Sequence, residues 1–159
     1  MSRLVPWLLL LAGAPLWLAA GGERPLSLLS FEGERVLLAP APDQDALLVH
    51  FWATWCPECV DELPALERAA RACEGARVRV AVVNVAESPG EIARFREAHG
   101  LALPTLRDPD GRVWRGFARG LPANLVWTRE GRRVELGPRD EAAWERTLAE
   151  LGCGPAAAR

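Results

Sequence analysis

The sequence predicts an α/β domain built around a mixed β-sheet, and three observations support this fold class. Ala46–Ala53 is a continuous apolar run interrupted only by His50, which is typical of a strand buried on both faces. Arg77–Val85 alternates into a second buried strand, and helical patterns follow both runs. Near the end of the chain, two strand-like runs flank Arg129–Gly131, which indicates a hairpin and therefore an antiparallel component.

The elements before and after the first buried strand have simple local signals. Arg24–Leu38 has apolar residues around Gly33 and is interpreted as a short hairpin, and Ala39–Asp43 as a loop. A helix is predicted from Pro57 to about Cys73, with Pro64 kinking it.

The second helix has a defined start and a defined end. Ser88 is the expected N-cap, Pro89 occupies the first helical position, and Glu91 completes a capping box. This helix is expected to run to about His99, where Gly100 ends it.

The last third of the chain is predicted to contain a turn, a hairpin and a final helix. Asp108–Gly111 is the turn, and the hairpin strands are Ala123–Thr128 and Arg132–Leu136. The helix spans Asp140–Leu151 and has four apolar residues on one face: Ala143, Trp144, Leu148 and Leu151. We find no internal repeat and no linker, so one domain is expected.

Composition excludes several classes of function. The chain has 159 residues, of which 50% are hydrophobic and 25% charged, and a formal net charge of −2. These values indicate one globular domain and exclude wholesale disorder. The weakly acidic balance gives no reason to expect nucleic-acid binding, which requires a basic surface. All 19 basic residues are arginine, so no catalytic lysine is present.

The N-terminal 22 residues are expected to direct export. A positive charge at Arg3 is followed by an apolar stretch, and Ala19–Gly22 forms a small-residue exit. The uncharged run Leu4–Gly22 is also long enough to span a bilayer if it is not cleaved. We therefore expect residues 1–22 to be a signal peptide or a membrane anchor, and residues 23–159 to form the exported domain.

Export changes what the four cysteines mean, because disulfides form and persist outside the cytosol. Cys56 and Cys59 form a C-x-x-C motif, whereas Cys73 and Cys153 are isolated. Four thiols can in principle bind one zinc ion, but structural zinc sites generally use paired knuckles and no second pair exists here. No metal site is expected.

The C-x-x-C motif lies where a buried strand ends and a helix begins. The unpaired N–H groups and the positive end of the helix dipole point at the sulfur of Cys56, which stabilises its thiolate. Cys56 is therefore expected to attack a substrate disulfide, and Cys59, one helical turn along, to resolve the mixed disulfide. Pro57 suits the first turn because its missing N–H is not needed there.

Several segments resemble known proteins. The run Phe51–Cys59, followed by Glu62-Leu63-Pro64, resembles the active-site segment of thioredoxin-like proteins. It is most similar to the exported TlpA/ResA/CcmG-type thiol–disulfide oxidoreductases. Leu103–Leu106 with Asp108–Gly111, and Gly120-Leu121-Pro122, resemble further segments of that family, so the similarity extends over roughly Ser27–Leu151.

The resemblance implies a thioredoxin-like fold and assigns Pro122 as a cis-proline beside the two sulfurs. The alternative is an ordinary trans proline at the start of a strand. Pro104 is a competing candidate, but the hairpin that should follow the cis-proline follows Pro122. Where the family usually has Thr-Thr-Phe after this proline, the chain has Ala123–Leu125, which leaves substrate preference open.

The resemblance also implies active-site neighbours besides Trp55 and Pro57. His50 occupies the position where thioredoxins have an acid, so it is a candidate acceptor for the proton of Cys59; the alternative is a neutral core histidine. Glu62 matches an acid that family members keep near the active site, and either transfers protons or is simply solvated. Glu58, between the cysteines, opposes thiolate formation, only modestly if it is exposed.

Cys73 and Cys153 are expected to form a second, structural disulfide in the fold that the resemblance implies. The active-site helix and the C-terminal helix would start at the same end of the sheet, so that their far ends are neighbours. The alternative is two free thiols, with Cys153 mobile in a Gly-rich tail.

We therefore expect an extracytoplasmic thiol–disulfide oxidoreductase that reduces protein disulfides, without a cofactor and without a nucleic-acid partner. Apocytochromes c and copper-site assembly factors are candidate substrates, and electrons would come from a membrane or extracytoplasmic thiol donor. A thiol peroxidase is disfavoured because no T-x-x-C precedes Cys56. The alternatives are a redox-inactive thioredoxin-like binding module and a metallochaperone.

Overall fold

A single mixed sheet organises residues 23–154, the part of the chain that the computed structural model describes. The expected signal or anchor, residues 1–22, lies outside the described residues. The strands are β1 (Leu26–Leu29), β2 (Arg35–Leu38), β3 (Ala46–Trp52), β4 (Val78–Val85), β5 (Thr105–Asp108), β6 (Ala123–Thr128) and β7 (Gly131–Leu136). The helices are α1 (Pro57–Ala70), α2 (Pro89–His99), α3 (Arg112–Arg115) and α4 (Glu141–Glu150).

The strand order is β2-β1-β5-β4-β3-β6-β7. Strands β3, β4 and β5 are parallel, whereas β6 is antiparallel to both β3 and β7. Strand β1 is antiparallel to β2 and β5. The prediction of an α/β fold with a mixed sheet flanked by helices is therefore confirmed.

Strand β3 is the centre of the core, since every one of its seven residues is buried. Leu48 and Trp52 face the apolar cluster that also contains residues of α1, α2 and α4. Leu47 and Phe51 point to the opposite face, against the cluster that includes β1, β2 and the segment around Ala118. The continuous apolar run in the sequence thus corresponds to a strand covered on both sides.

The helix ends follow the predicted capping signals. Ser88 and Glu91 form the expected capping box at the start of α2, and Gly100 ends that helix in the left-handed conformation with φ of 63°. Helix α1 ends at Ala70, and one turn of 3₁₀ helix, Arg71–Cys73, continues it to the predicted end.

Strand β5 and helix α3 were not predicted. Strand β5 has only four residues, and its Arg107 and Asp108 are buried polar groups with specific partners. The Asp108 carboxylate accepts hydrogen bonds from the N–H groups of Val113 (3.3 Å) and Trp114 (2.8 Å) at α3. These hydrogen bonds stabilise a polar strand that hydrophobic periodicity does not reveal.

A disulfide joins the far ends of α1 and α4. Cys73 and Cys153 are linked with a Cα–Cα distance of 4.5 Å, within the range that disulfides require. The N–H of Gly154 also donates to the carbonyl oxygen of Ala72 at 3.1 Å. Helix α4 is therefore fixed to α1 at the end of the sheet where β3 and β4 begin.

Arg132 holds the first described residues at that same end of the sheet. Its guanidinium lies 3.6 Å from the ring centre of Trp127, and its Nε is 2.5 Å from a carboxylate oxygen of Glu23. A second guanidinium nitrogen donates to the carbonyl oxygen of Arg24. Among residues 23–154, no helix has the length and apolar character needed to cross a bilayer.

Candidate active site

The C-x-x-C motif begins α1 directly after the carboxyl end of β3. Cys56 is the N-cap residue, and its Sγ accepts a hydrogen bond from the N–H of Cys59 at 3.2 Å. The N–H of Cys56 in turn donates to the carbonyl oxygen of Ala53, which closes the turn between strand and helix. Cys56 and Cys59 are joined as a disulfide in this structure.

The two sulfurs differ in access to solvent. Cys59 is fully buried, whereas Cys56 has 7% of its surface exposed and adjoins Trp55, which is 60% exposed. Pro57 and Glu58 are also exposed, so the charge of Glu58 is screened by water. Helix dipole and N-cap geometry therefore act on Cys56 with little opposition from Glu58.

The peptide bond between Leu121 and Pro122 is cis. Pro122 directly precedes β6, whose first residue, Ala123, pairs with Phe51 near the end of β3. The strand register therefore places Pro122 at the same end of the sheet as the two cysteines.

His50 is completely buried beneath this end of the sheet. Its Nδ1 lies 2.8 Å from Oδ1 of Asn124, its partner across the β3–β6 pairing, and its ring meets Trp144 of α4 edge-on. Burial lowers the pKa of His50 to about 4, although the hydrogen bond with Asn124 acts in the opposite direction. His50 is therefore neutral near pH 7, and donation from Nδ1 to Asn124 leaves Nε2 as an acceptor.

Glu62 is buried as well, with only 3% of its surface exposed, so the alternative of a merely solvated glutamate is wrong. Its Oε2 accepts a hydrogen bond of 2.6 Å from the N–H of Arg139, in the segment before α4. Its Oε1 lies 3.6 Å from Nε2 of His50 and has no hydrogen-bond partner. Burial raises the pKa of Glu62 to about 7, while the N–H and positive charge of Arg139 limit the rise.

These two buried groups lie next to the dithiol. Glu62 lies three residues after Cys59, and side chains at that spacing are neighbours on one helix face. Because the pKa of Glu62 is near 7, its carboxyl group can both accept and donate a proton at neutral pH.

Asn124, Arg139 and Trp144 also contact His50 or Glu62, and none of the three was predicted to belong to the site. Asn124 was predicted to lie on a hairpin strand, but its pairing with His50 across β3 and β6 is visible only in the structure. Arg139 acts on Glu62 through its backbone N–H, which any residue other than proline supplies, so no side-chain pattern reveals it.

Among residues 23–154, no group of three or more His, Cys, Asp or Glu side chains is arranged to hold a metal ion.

Comparison with known proteins agrees with this geometry. The model of the AhpC/TSA family matches residues 24–131, most of the described chain. The chain belongs to the AhpC/TSA family. Thiol-disulfide oxidoreductase ResA of Bacillus subtilis is 28% identical to this family member over 105 residues, 65% of this chain and 58% of that protein. Thioredoxin of Rhodospirillum rubrum is 44% identical over 85 residues, 53% of this chain and 73% of that protein.

The likeness to a solved structure confirms the thioredoxin-like fold. The thiol:disulfide interchange protein of Chlorobium tepidum superimposes on this AhpC/TSA member with a TM-score of 0.68 at 23% identity, covering 81% of this chain and 94% of that one. Four curated relatives, three named ResA and one named thioredoxin-like protein YneN, are matched over 50% to 69% of their own length. The expected resemblance to ResA-type proteins is confirmed.

Proposed function

We propose that this protein is a thiol–disulfide oxidoreductase whose Cys56/Cys59 centre exchanges disulfides with other proteins. The observation that carries the proposal is the placement of Cys56 as the N-cap of α1, with its Sγ accepting the N–H of Cys59. A thiolate at this position is stabilised by the same N–H and by the helix dipole. The exposed Trp55 beside it offers an apolar contact for a polypeptide substrate.

The exchange proceeds in two successive steps. The Cys56 thiolate attacks one sulfur of the substrate disulfide, so that a mixed disulfide forms and one substrate thiolate leaves. Cys59 then loses its proton and attacks Sγ of Cys56, which releases the second substrate thiolate. The substrate gains two electrons and Cys56/Cys59 becomes the disulfide seen here.

Glu62 is the proposed acceptor for the proton of Cys59, and His50 supports it. Neutral His50 presents Nε2 to Oε1 of Glu62, so it stabilises the protonated carboxyl that results. Pro122 lies at the same end of the sheet as the two sulfurs, and the backbone before it is proposed to pair with an extended substrate segment.

The proposed direction is reduction of protein disulfides, which the resemblance to TlpA/ResA/CcmG-type proteins implies. Apocytochromes c and copper-site assembly factors are candidate substrates. An extracytoplasmic or membrane thiol protein would return electrons to the Cys56/Cys59 disulfide.

The proposed location is outside the cytosol. Residues 1–22 are interpreted as a signal peptide or membrane anchor preceding the domain of residues 23–159. The second disulfide, Cys73–Cys153, supports this location because such bonds persist in oxidising compartments.

The test is reduction of insulin disulfides by dithiothreitol in the presence of the mature domain. Wild-type protein should accelerate the reaction, and Cys56→Ser should not. Absence of acceleration by wild type would favour the redox-inactive binding module, and retention of stoichiometric copper or zinc after mild chelation would favour the metallochaperone. The reduction potential of Cys56/Cys59 against glutathione then decides the direction, with a strongly negative value expected.

A further inference from the structure

Three hydrogen bonds converge on the carboxylate of Glu87, a residue outside the C-x-x-C motif. The backbone N–H of Thr54 donates to Oε2 at 2.8 Å, and the hydroxyl group of Thr54 donates to Oε1. The side-chain amide of Asn84 also donates to Oε2, at 2.6 Å. Both carboxylate oxygens therefore accept hydrogen bonds, and Thr54 donates two of the three.

These bonds connect two separate parts of the active-site end. Thr54 lies in the turn that precedes Cys56, whereas Asn84 lies on β4, fully buried and paired with Trp52 of β3. Glu87 follows the end of β4 and reaches back across the sheet edge. The turn that carries the first cysteine is thus tied to the central sheet by one side chain.

The backbone before Glu87 is held in an uncommon conformation that directs this side chain. Ala86 has a φ of 60°, in the left-handed region that residues other than glycine seldom adopt. Its N–H donates to the carbonyl oxygen of Asp108 on β5 at 3.0 Å. The neighbouring strand therefore supports the bend after which Glu87 meets Thr54.

We infer that Glu87 is a positioning residue for Cys56, which rests on the proposed function in so far as Cys56 is the nucleophile. Cys56 needs an extended backbone, with φ of −99° and ψ of 100°, to cap α1 with its sulfur. Fixing Thr54 two residues earlier keeps the chain in the path that gives this conformation. Hydrogen bonds to a carboxylate are roughly twice as strong as neutral ones, which suits Glu87 to this task.

The arrangement predicts different outcomes for two substitutions. Glu87→Gln keeps an oxygen for Thr54 N–H and Asn84, and its amide group can donate to the Thr54 hydroxyl, which then accepts. Glu87→Ala removes all three bonds. The positioning role therefore survives loss of the charge but does not survive loss of the side chain.

The experiment measures iodoacetamide labelling of Cys56 in the reduced full-length protein across pH. Glu87→Ala should lower the labelling rate at neutral pH by about tenfold and raise the apparent pKa of Cys56. Glu87→Gln should label within about twofold of wild type, because it retains the hydrogen bonds. The matched control is Glu91→Ala, which breaks the capping box of α2 four residues away without contacting Thr54.

If Cys56 of Glu87→Ala is labelled at the wild-type rate, the inference is overturned. Equal slowing of labelling in Glu91→Ala would also overturn it, because it would indicate a general destabilisation of this region. If Glu87→Ala fails to fold, Thr54→Val provides the second test, because it keeps the backbone bond and loses the hydroxyl bond. Cys56 should then be labelled more slowly in Thr54→Val than in Thr54→Ser, which keeps the hydroxyl group. Labelling needs no protein substrate, so failure to reduce insulin refutes the proposed function without affecting this result.

Discussion

The two ends of α1 each carry a disulfide-bonded cysteine, yet their surroundings differ in electrostatics and in chain connectivity. Cys56 is the N-cap of the helix, and Cys73 lies in the 3₁₀ turn that follows its last residue. Their exposed fractions are nearly equal, 7% and 8%. Accessibility therefore does not separate a reactive cysteine from a structural one in this fold.

The helix itself supplies the difference. Its positive end faces Cys56 and stabilises a thiolate there, whereas its negative end faces Cys73 and disfavours one. Connectivity acts in the same direction, since Cys56–Cys59 spans three positions and Cys73–Cys153 spans 80. Closing the longer loop removes far more conformational freedom from the unfolded chain.

The largest expected effect is on disulfide exchange at Cys56, at the N-terminal end of α1. Cys56→Ser should abolish insulin reduction, because no other thiol faces the helix N-terminus. Cys59→Ser should instead accumulate mixed disulfides, detectable by mass spectrometry. In reduced wild-type protein, iodoacetamide should label Cys56 much faster than Cys59 at neutral pH. Equal rates for these two thiols would remove the distinction between nucleophile and resolving thiol.

The second prediction concerns stability at the other end. Removing Cys73 and Cys153 together, as alanines, should lower the free energy of unfolding by up to about 4.5 kcal/mol, because an 80-residue loop is no longer closed. Denaturant unfolding measures this loss, and insulin reduction at 25 °C should persist in the folded fraction.

The matched control for this loss is the pair Cys56→Ala/Cys59→Ala. Its three-position loop predicts a loss of only about 1.6 kcal/mol in the same chain-entropy model. Comparable losses for the two double variants would show that connectivity does not distinguish the two disulfides.

The third prediction concerns His50 and Glu62, the buried groups beside the dithiol. Glu62 has a raised pKa of about 7, so the folded state binds its proton more tightly and loses stability as pH rises from about 4.5 to 7. His50 has a lowered pKa of about 4, so the folded state loses stability as pH falls from about 6.5 to 4. Each effect amounts to about 3 kcal/mol, and the two oppose each other between pH 4.5 and 6.5.

Single variants should expose these opposed effects. Glu62→Gln should leave a protein that becomes less stable on acidification, whereas His50→Asn should leave one that becomes less stable as pH rises. Urea unfolding at several pH values measures both slopes, with Arg139 and Glu58 unchanged as the neighbouring charges. Slopes of the same sign in the two variants would contradict the assigned pKa shifts.

The smallest expected effect concerns a noncovalent contact between the same two helices that the Cys73–Cys153 disulfide joins. Arg68 of α1 donates two hydrogen bonds, of 2.9 and 2.8 Å, to Glu141 of α4. Both side chains are about half exposed, so water and salt screen the pair. Arg68→Gln should shift Tm by no more than about 2 °C and leave labelling of Cys56 unchanged. A larger shift in Tm would show that the disulfide is not the main connection between α1 and α4.

The predictable part of this structure is the part encoded by local signals. The capping box of Ser88 and Glu91, the apolar run of β3 and the position of the C-x-x-C motif are each decided by residues close in sequence. The resemblance added the location of Pro122, where a cis bond is present. The fold and the centre of the candidate site were therefore accessible from the sequence.

The unpredicted part depends on contacts between distant residues. A glutamate in the second turn of a helix is usually solvated, whereas Glu62 is buried and accepts a hydrogen bond from the N–H of Arg139, 77 residues later. Arg107 of β5 is buried and donates to the carbonyl oxygen of Ser30, which lies just after β1 and 77 residues earlier in the chain. Periodicity within a short window contains no information about such partners.

The contacts of Arg132 with Glu23 and Arg24 determine where the N-terminal segment is attached relative to Cys56. Trp127, on which Arg132 lies, is near the end of β6, whereas Pro122 and the dithiol are beyond its start. Glu23, the first described residue, therefore lies at the end of the sheet opposite Cys56. A tether attached at Glu23 would leave the end of the domain that carries Cys56 directed away from the point of attachment. Protein partners could then reach the dithiol without meeting the tether.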